Sequence, residues 1–128
     1  MNPKVIIVDD DDINNFLCKR IITLAHFSDN ISTFLDANSA LSFLRSNIDH
    51  PENLPDIIFL DINMPIKNGW DFLAEYESFK SSIGKNIHIY MLSSSVYEED
   101  MKKAKNFDSI VDYIPKPLSE SVLEKIKL

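Results

Sequence analysis

The chain has 128 residues, of which 45% are hydrophobic and 26% charged, the size and apolar content of one ordinary domain with its own core. Its formal net charge of −7 argues against a nucleic-acid surface, which needs a clustered basic patch. No stretch approaches the roughly 18 apolar residues of a membrane span, and a single cysteine, Cys18, excludes an internal disulfide and fits a reducing cytoplasm.

The N-terminus, Met1-Asn2-Pro3-Lys4, leads straight into an apolar run, so no signal peptide is expected. The first strand is read over Lys4 to Val8. The helix after it carries Ile13, Phe16, Leu17, Ile21 and Leu24 at helical spacing, with Asp12 as its cap and Cys18 as a small core residue. A weaker second strand falls around Ser32 to Leu35. Asn38 or Ser39 can cap a second helix bearing Leu41, Leu44 and Ile48. After Pro51 and Pro55, the third strand is Asp56 to Leu60, and Asn68-Gly69 marks the turn into a helix with Phe72, Leu73, Tyr76 and Phe79. The fourth strand is Ile87 to Leu92. A short helix follows, with Glu98 to Asp100 in its first turn and Lys102, Lys103 and Lys105 in its last, the order a helix dipole favours. The fifth strand is Ile110 to Ile114, and Ser119 can cap a last helix with Val122, Leu123 and Ile126 facing inward. Alternating strands and helices predict an α/β domain with a five-stranded parallel sheet and five helices, spanning 1–128 with no linker. Strands 1, 3 and 4 are almost wholly apolar, as strands covered on both faces should be.

Four of these apolar runs end in different chemical groups. Val5-Ile6-Ile7-Val8 ends at Asp9-Asp10, Ile57-Ile58-Phe59-Leu60 at Asp61, the fourth at Ser93-Ser94-Ser95, and the fifth at Pro115-Lys116-Pro117. Carboxyl ends of strands are where open parallel sheets bind ligands. An aspartate carboxylate can accept a phosphoryl group, provided the charge is neutralised. Mg²⁺ suits that task, with Asp10 and Asp61 as ligands, Asp9 holding a metal-bound water and the backbone carbonyl of Asn63 as a third protein ligand. Lys116 is the candidate cation for a phosphoryl oxygen and Ser93 the candidate hydroxyl donor. Taken alone, a strand-end aspartate, a serine triplet or a Lys-Pro pair is ordinary strand-end and loop chemistry. The joint arrangement is what points to a site. Three scattered histidines make no zinc pattern, and His26, His50 and His88 lie outside this constellation.

The pieces Val8-Asp9-Asp10-Asp11, Leu60-Asp61-Ile62-Asn63-Met64-Pro65, Asn68-Gly69, Met91-Leu92-Ser93-Ser94 and Tyr113-Ile114-Pro115-Lys116-Pro117 stand in one order along the whole chain. Together they resemble the receiver domains of bacterial two-component response regulators. The resemblance implies a flavodoxin-like doubly wound sheet of order 2-1-3-4-5. It implies phosphorylation of Asp61 by a histidine kinase or histidine phosphotransfer protein, with Asp9 and Asp10 as the acidic pair and Asp10 the direct metal ligand. It implies Ser93 and Tyr113 as switch residues, Lys116 as partner of the phosphoryl group, and a cis Lys116-Pro117 bond. Two features depart from the family. Asn106 to Val111 replaces the frequent Gly-Ala before the fifth strand, and Ser93 stands where threonine is frequent.

The expectation is thus a cytoplasmic, Mg²⁺-dependent phosphoryl-accepting binding module and not an output enzyme, with no room for an output domain. Its partner, not identified by the sequence, would bind the face of helix 4, strand 5 and helix 5; nucleic acid and membrane are not expected partners. Two alternatives stand beside it. One is a phosphatase of the haloacid-dehalogenase type, which wants a second aspartate where Asn63 stands. The other is a degenerate receiver that binds a partner constitutively. Trp70, beginning the third helix, is either a surface anchor or a packing residue.

Overall fold

The computed structural model of the chain describes residues 2–94 and 98–128, so Met1 and Ser95 of the serine triplet lie outside the described residues. The elements are β1 (Lys4–Val8), α1 (Asp12–Leu24), β2 (Asn30–Phe34), α2 (Ala37–Ser46), β3 (Ile57–Asp61), α3 (Gly69–Phe79), β4 (His88–Ser93), α4 (Glu98–Ala104), β5 (Ile110–Pro115) and α5 (Glu120–Glu124). The strands form one sheet in the order β2-β1-β3-β4-β5, all pairs parallel. This is the predicted flavodoxin-like fold. Among the described residues no helix is long and apolar enough to cross a membrane.

Alternation along each strand divides the core in two. Val5 and Ile7 of β1, Ile57 and Phe59 of β3, and Tyr90 and Leu92 of β4 pack with Cys18, Ile22 and Leu123 of α1 and α5. Ile6 and Val8, Ile58 and Leu60, and Ile89 and Met91 pack with Leu41, Leu44, Phe72, Leu73 and Tyr76 of α2 and α3. β3 is buried at every position, consistent with a central strand covered on both faces.

The structure corrects several local expectations. Asp11, not Asp12, caps α1, accepting from the N–H groups of Ile13 and Asn14. Asp36, not Asn38 or Ser39, caps α2: that helix begins at Ala37, and the Ser39 N–H and hydroxyl both donate to the Asp36 carboxylate. β2 starts two residues before its predicted position and pairs Asn30 with Lys4; a polar edge strand gives the sequence little apolar signal.

The largest correction concerns α1. Ile13, Phe16, Leu17 and Leu24 face outward, with Ile13 71% and Phe16 61% exposed. The buried face is Asn15, Cys18 and Ile22. Two features set this rotation. The Asn15 amide donates to the Asp9 carbonyl at 2.9 Å, tying the helix to the end of β1. The small Cys18 side chain then lets the helix lie close to the sheet. Burial pushes the Cys18 thiol up to about 11, with the Asp9 charge adding to it, as suits a small core residue rather than a nucleophile.

Trp70 is a packing residue. It is buried, its ring stacks on Phe107 with centroids 6.0 Å apart, and Lys103 lies 5.4 Å from its centroid. Phe107 belongs to the segment that departs from the family pattern, so the departure ties α3 to the turn after α4.

Gly69 opens α3 against the end of β3. A Cβ there would stand 2.7 Å from the Asp61 carbonyl oxygen and 3.0 Å from the Ile62 Cα, both backbone atoms that cannot swing aside. Gly69→Ala should destabilise the protein by about 1–3 kcal/mol in urea titration, the usual range for overpacking. Gly84→Ala, where nothing lies within 4 Å, should be close to neutral. Equal effects of the two changes would contradict this contact.

Candidate functional site

Strand parity builds the site. Asp9 continues the series Val5, Ile7, and Asp61 the series Ile57, Phe59, so both carboxylates leave the sheet on the α1/α5 side. Asp9 is 1% exposed and Asp61 5%, whereas Asp10 is exposed at the rim. Asp9, Asp10 and Asp61 can each offer an oxygen to one point, those atoms lying within 4.8 Å of one another.

Lys116 closes the arrangement. Its backbone N–H donates to the Ser93 carbonyl at 2.6 Å, and the bond from it to Pro117 is cis, as the resemblance implied. Its ammonium lies 2.8 Å from Asp9 Oδ2 and 3.1 Å from Asp61 Oδ1. Asp9 has further donors. Its Oδ1 accepts from the Asp11 N–H at 2.9 Å, and its Oδ2 also accepts from Asn14 Nδ2 at 2.5 Å.

One ammonium therefore serves a corner with three carboxylates. Burial and then the Asp9 charge push the Asp61 carboxyl up to about 6, with Asp10 adding to the rise and Lys116 opposing it. Lys116 is raised as well, but for a lysine that favours the charged form. Burial disfavours its charge, but the bonds to Asp9 and Asp61 outweigh that and raise it above an ordinary lysine. The shifts favour ionised Lys116 but neutral Asp61, because Lys116 meets Asp9 and Asp61 while Asp61 meets one cation, two anions and a buried setting. The corner thus has hard oxygen donors and uncompensated negative charge, the chemistry that suits a small divalent cation.

Ser93 is buried at the end of β4, where parity groups it with Met91 on the α3 side. Tyr113 is half-buried on β5 opposite Met91 and packs against that same core. Asn63 is exposed two residues beyond Asp61. Asp9, Asp61 and Lys116 are thus in direct contact, Asp10 is at carboxylate reach, and Ser93 and Tyr113 flank the site on the other side of the sheet.

One residue of the site, Asn14, and one turn in the loop after Asp61, at Ile66, were not read from the sequence. For Asn14, its place five residues after Asp9, on the first turn of a helix, was the available signal. Ile66 has φ 68° and is 96% exposed, and the Lys67 N–H donates to the Pro65 carbonyl across it at 2.8 Å, closing a γ-turn. A β-branched residue does not announce a left-handed backbone, so the sequence carried no signal for it.

Fold and site define a class: a doubly wound α/β domain with an acid–lysine site at the carboxyl edge of its sheet. The chain belongs to the response regulator receiver domain family, whose model matches residues 5–127. It is similar to a two-component response regulator from Cytophaga hutchinsonii, at 32% identity and a TM-score of 0.89, over 97% of this chain and 93% of that one. A response regulator receiver protein from Dyadobacter fermentans is 30% identical with a TM-score of 0.83, over 95% and 92% of the two chains. The transcriptional regulatory protein HptR of Staphylococcus aureus is 30% identical over 124 residues, 96% of this chain. The chain spans 44% of that relative's length.

The raised Asp61 fixes a pH dependence. A carboxyl that holds its proton more tightly folded than unfolded costs stability when it ionises. That cost is absent below its ordinary value of 3.8 and complete above about 6. Asp61→Asn should therefore raise the melting temperature at pH 7.5 in chelator, and the gain should shrink as the pH falls towards 4. A gain that does not change with pH would show that Asp61 is not the strained ionised group.

Proposed function

We propose that the protein is a phosphorylation-controlled binding module in which Asp61 accepts a phosphoryl group from a phosphohistidine. The observation that carries this reading is the Lys116 ammonium shared by Asp9 and Asp61 beside Asp10. An acceptor carboxylate, a cation for the arriving phosphoryl oxygens and an acidic metal corner stand within one hydrogen-bonded group. Family membership supports it.

An Asp61 carboxylate oxygen attacks phosphorus, the phosphorus–nitrogen bond breaks, and its electron pair leaves with the imidazole. Mg²⁺, held by Asp10, Asp61 and the Asn63 carbonyl with Asp9 acting through water, would neutralise charge on the transferring group. Lys116 binds a phosphoryl oxygen and Ser93 another. Water later hydrolyses the acyl phosphate and restores Asp61. Turnover is limited to this cycle on the protein's own side chain, so the protein is not an enzyme acting on external substrates. The haloacid-dehalogenase alternative is not favoured, since Asn63 replaces its second acid. The intact acids and Lys116 weigh against a degenerate receiver.

The donor is a histidine kinase or histidine phosphotransfer protein. The outward stripe of Ile13, Phe16 and Leu17 supports α1 as part of the surface it meets, because it begins three residues from Asp10. The output partner binds beside α4, β5 and α5. A groove of about 670 Å³ between α4 and β5, lined by Met101, Lys105, Phe107, Val111 and Tyr113, supports that placement. Ser93 and Tyr113 link the two ends: drawing Ser93 to the phosphoryl group opens space into which Tyr113 turns. A swing from 1:99 to 99:1 needs about 5.5 kcal/mol of differential binding. One charge-assisted hydrogen bond supplies about 1.5–3 kcal/mol, so Ser93 and Lys116 are both required.

Incubation with acetyl phosphate and Mg²⁺ should add one phosphoryl mass to the parent and none to Asp61→Asn. Full-yield modification of the Asn variant would refute the assignment. With beryllofluoride, Ser93→Ala should still bind at Asp61 but show smaller amide shifts around α4 and Tyr113. Undiminished shifts would remove Ser93 from the coupling.

A further inference from the structure

Asn14 is not among the residues that touch the phosphoryl group in the cycle above, yet it makes a short contact to the site. Its Nδ2 lies 2.5 Å from Asp9 Oδ2, the same oxygen that takes Lys116 at 2.8 Å. The amide nitrogen, not the oxygen, must face this group, because an ionised carboxylate only accepts. A second contact, from Nδ2 to Cys18 Sγ at 3.7 Å, holds the side chain along α1.

We infer that Asn14 is a positioning residue for Lys116, acting through Asp9. The inference rests on the phosphoacceptor reading and deepens it. Lys116 must move from Asp9 towards a phosphoryl oxygen on Asp61. Asp9 is almost wholly buried, so bulk water cannot replace a donor it loses; beyond the one metal-bound water it would hold, each lost donor leaves the carboxylate underpaired and holding its remaining cation more tightly. Asp9 keeps two donors when Lys116 leaves: the Asp11 N–H on Oδ1 and the Asn14 amide on Oδ2. Among the described residues, the Asn14 amide is the one that shares the oxygen Lys116 vacates. It sits on α1, so it does not have to move with the phosphoryl group. Asn14 thereby lowers the cost of freeing Lys116. Asn15, by contrast, donates to the Asp9 backbone carbonyl and has no access to this exchange.

The test is the rate of Asp61 phosphorylation by acetyl phosphate at saturating Mg²⁺. The parent, Asn14→Ala, Asn14→Asp, Lys116→Ala and the Asn14→Ala/Lys116→Ala pair are compared, with Mg²⁺ affinity measured on each. Alanine is favourable in a helix, and circular dichroism checks that each variant is folded. Loss of one hydrogen bond to a charged group should slow Asn14→Ala about tenfold. Asn14→Asp, which keeps the shape but not the donor, should be at least as slow. Neither should bind Mg²⁺ more weakly than the parent. In the Lys116→Ala background the Asn14 change should cost nothing further, because its effect runs through Lys116. The same tenfold loss there would show a merely structural role and overturn the inference. So would an unchanged rate in either single Asn14 variant, or a parallel fall in Mg²⁺ affinity. If the parent itself is not phosphorylated, the phosphoacceptor reading fails and takes this inference with it. If the parent is phosphorylated and Asn14→Ala keeps pace, only this inference fails.

Discussion

The ion pair between Lys116 and the two buried carboxylates is the constraint around which the domain is arranged. It joins residues 107 positions apart in the sequence. It draws the end of β5 over the ends of β1 and β3, and the Lys116 N–H on the Ser93 carbonyl brings the end of β4 into the same group. A buried ion pair is weak support for stability, because desolvation offsets the attraction. Here burial, with the Asp9 charge, raises Asp61 in spite of Lys116, so the corner is held together under electrostatic strain. That strain is what a cation or a phosphoryl group with its counter-charge can relieve. In the proposed cycle, function and imperfect stability would have one origin.

The fold supplies the rigidity this corner needs. Asp9 and Asp61 each sit immediately after a buried core residue, Val8 and Leu60, and Lys116 lies two residues beyond the buried Ile114. Gly69 lets α3 press against the backbone of Asp61. On the other side of the sheet the packing is less symmetrical. Ser93 is buried, but Tyr113 is half-buried and lines open grooves on both of its sides. The register between β4 and β5 is irregular between Ile89 and Tyr90. A packed acidic corner beside a more loosely covered edge is a suitable arrangement for transmitting a local charge change outward.

Much of this was legible in the sequence. Four apolar runs fixed four strands to within a residue at either end, and the groups that follow them gather at the candidate site. Parallel-sheet topology explains why: residues far apart in sequence meet wherever strands end together. The rotation of α1 was not legible, because its outward residues form a better apolar stripe than its buried ones. Amphipathic spacing reports a face, not what covers it. Here the Asn15 contact to the Asp9 carbonyl, with the small Cys18 beside the sheet, chose the buried side. The caps Asp11 and Asp36 were missed by one to three residues because several acids and hydroxyls stood in a row. The left-handed turn at Ile66 was hidden by a residue type that disfavours it.

Lys116 is shared between Asp9 and Asp61 in the structure and, in the proposed cycle, is given up to the phosphoryl group. A crystal structure with Mg²⁺ and beryllofluoride on Asp61 tests this directly. Lys116 Nζ should lie within hydrogen-bond distance of a fluoride and no longer on Asp9, with Asn14 Nδ2 still on Asp9 Oδ2. Lys116 remaining on Asp9, with the fluorides met only by other groups, would contradict it.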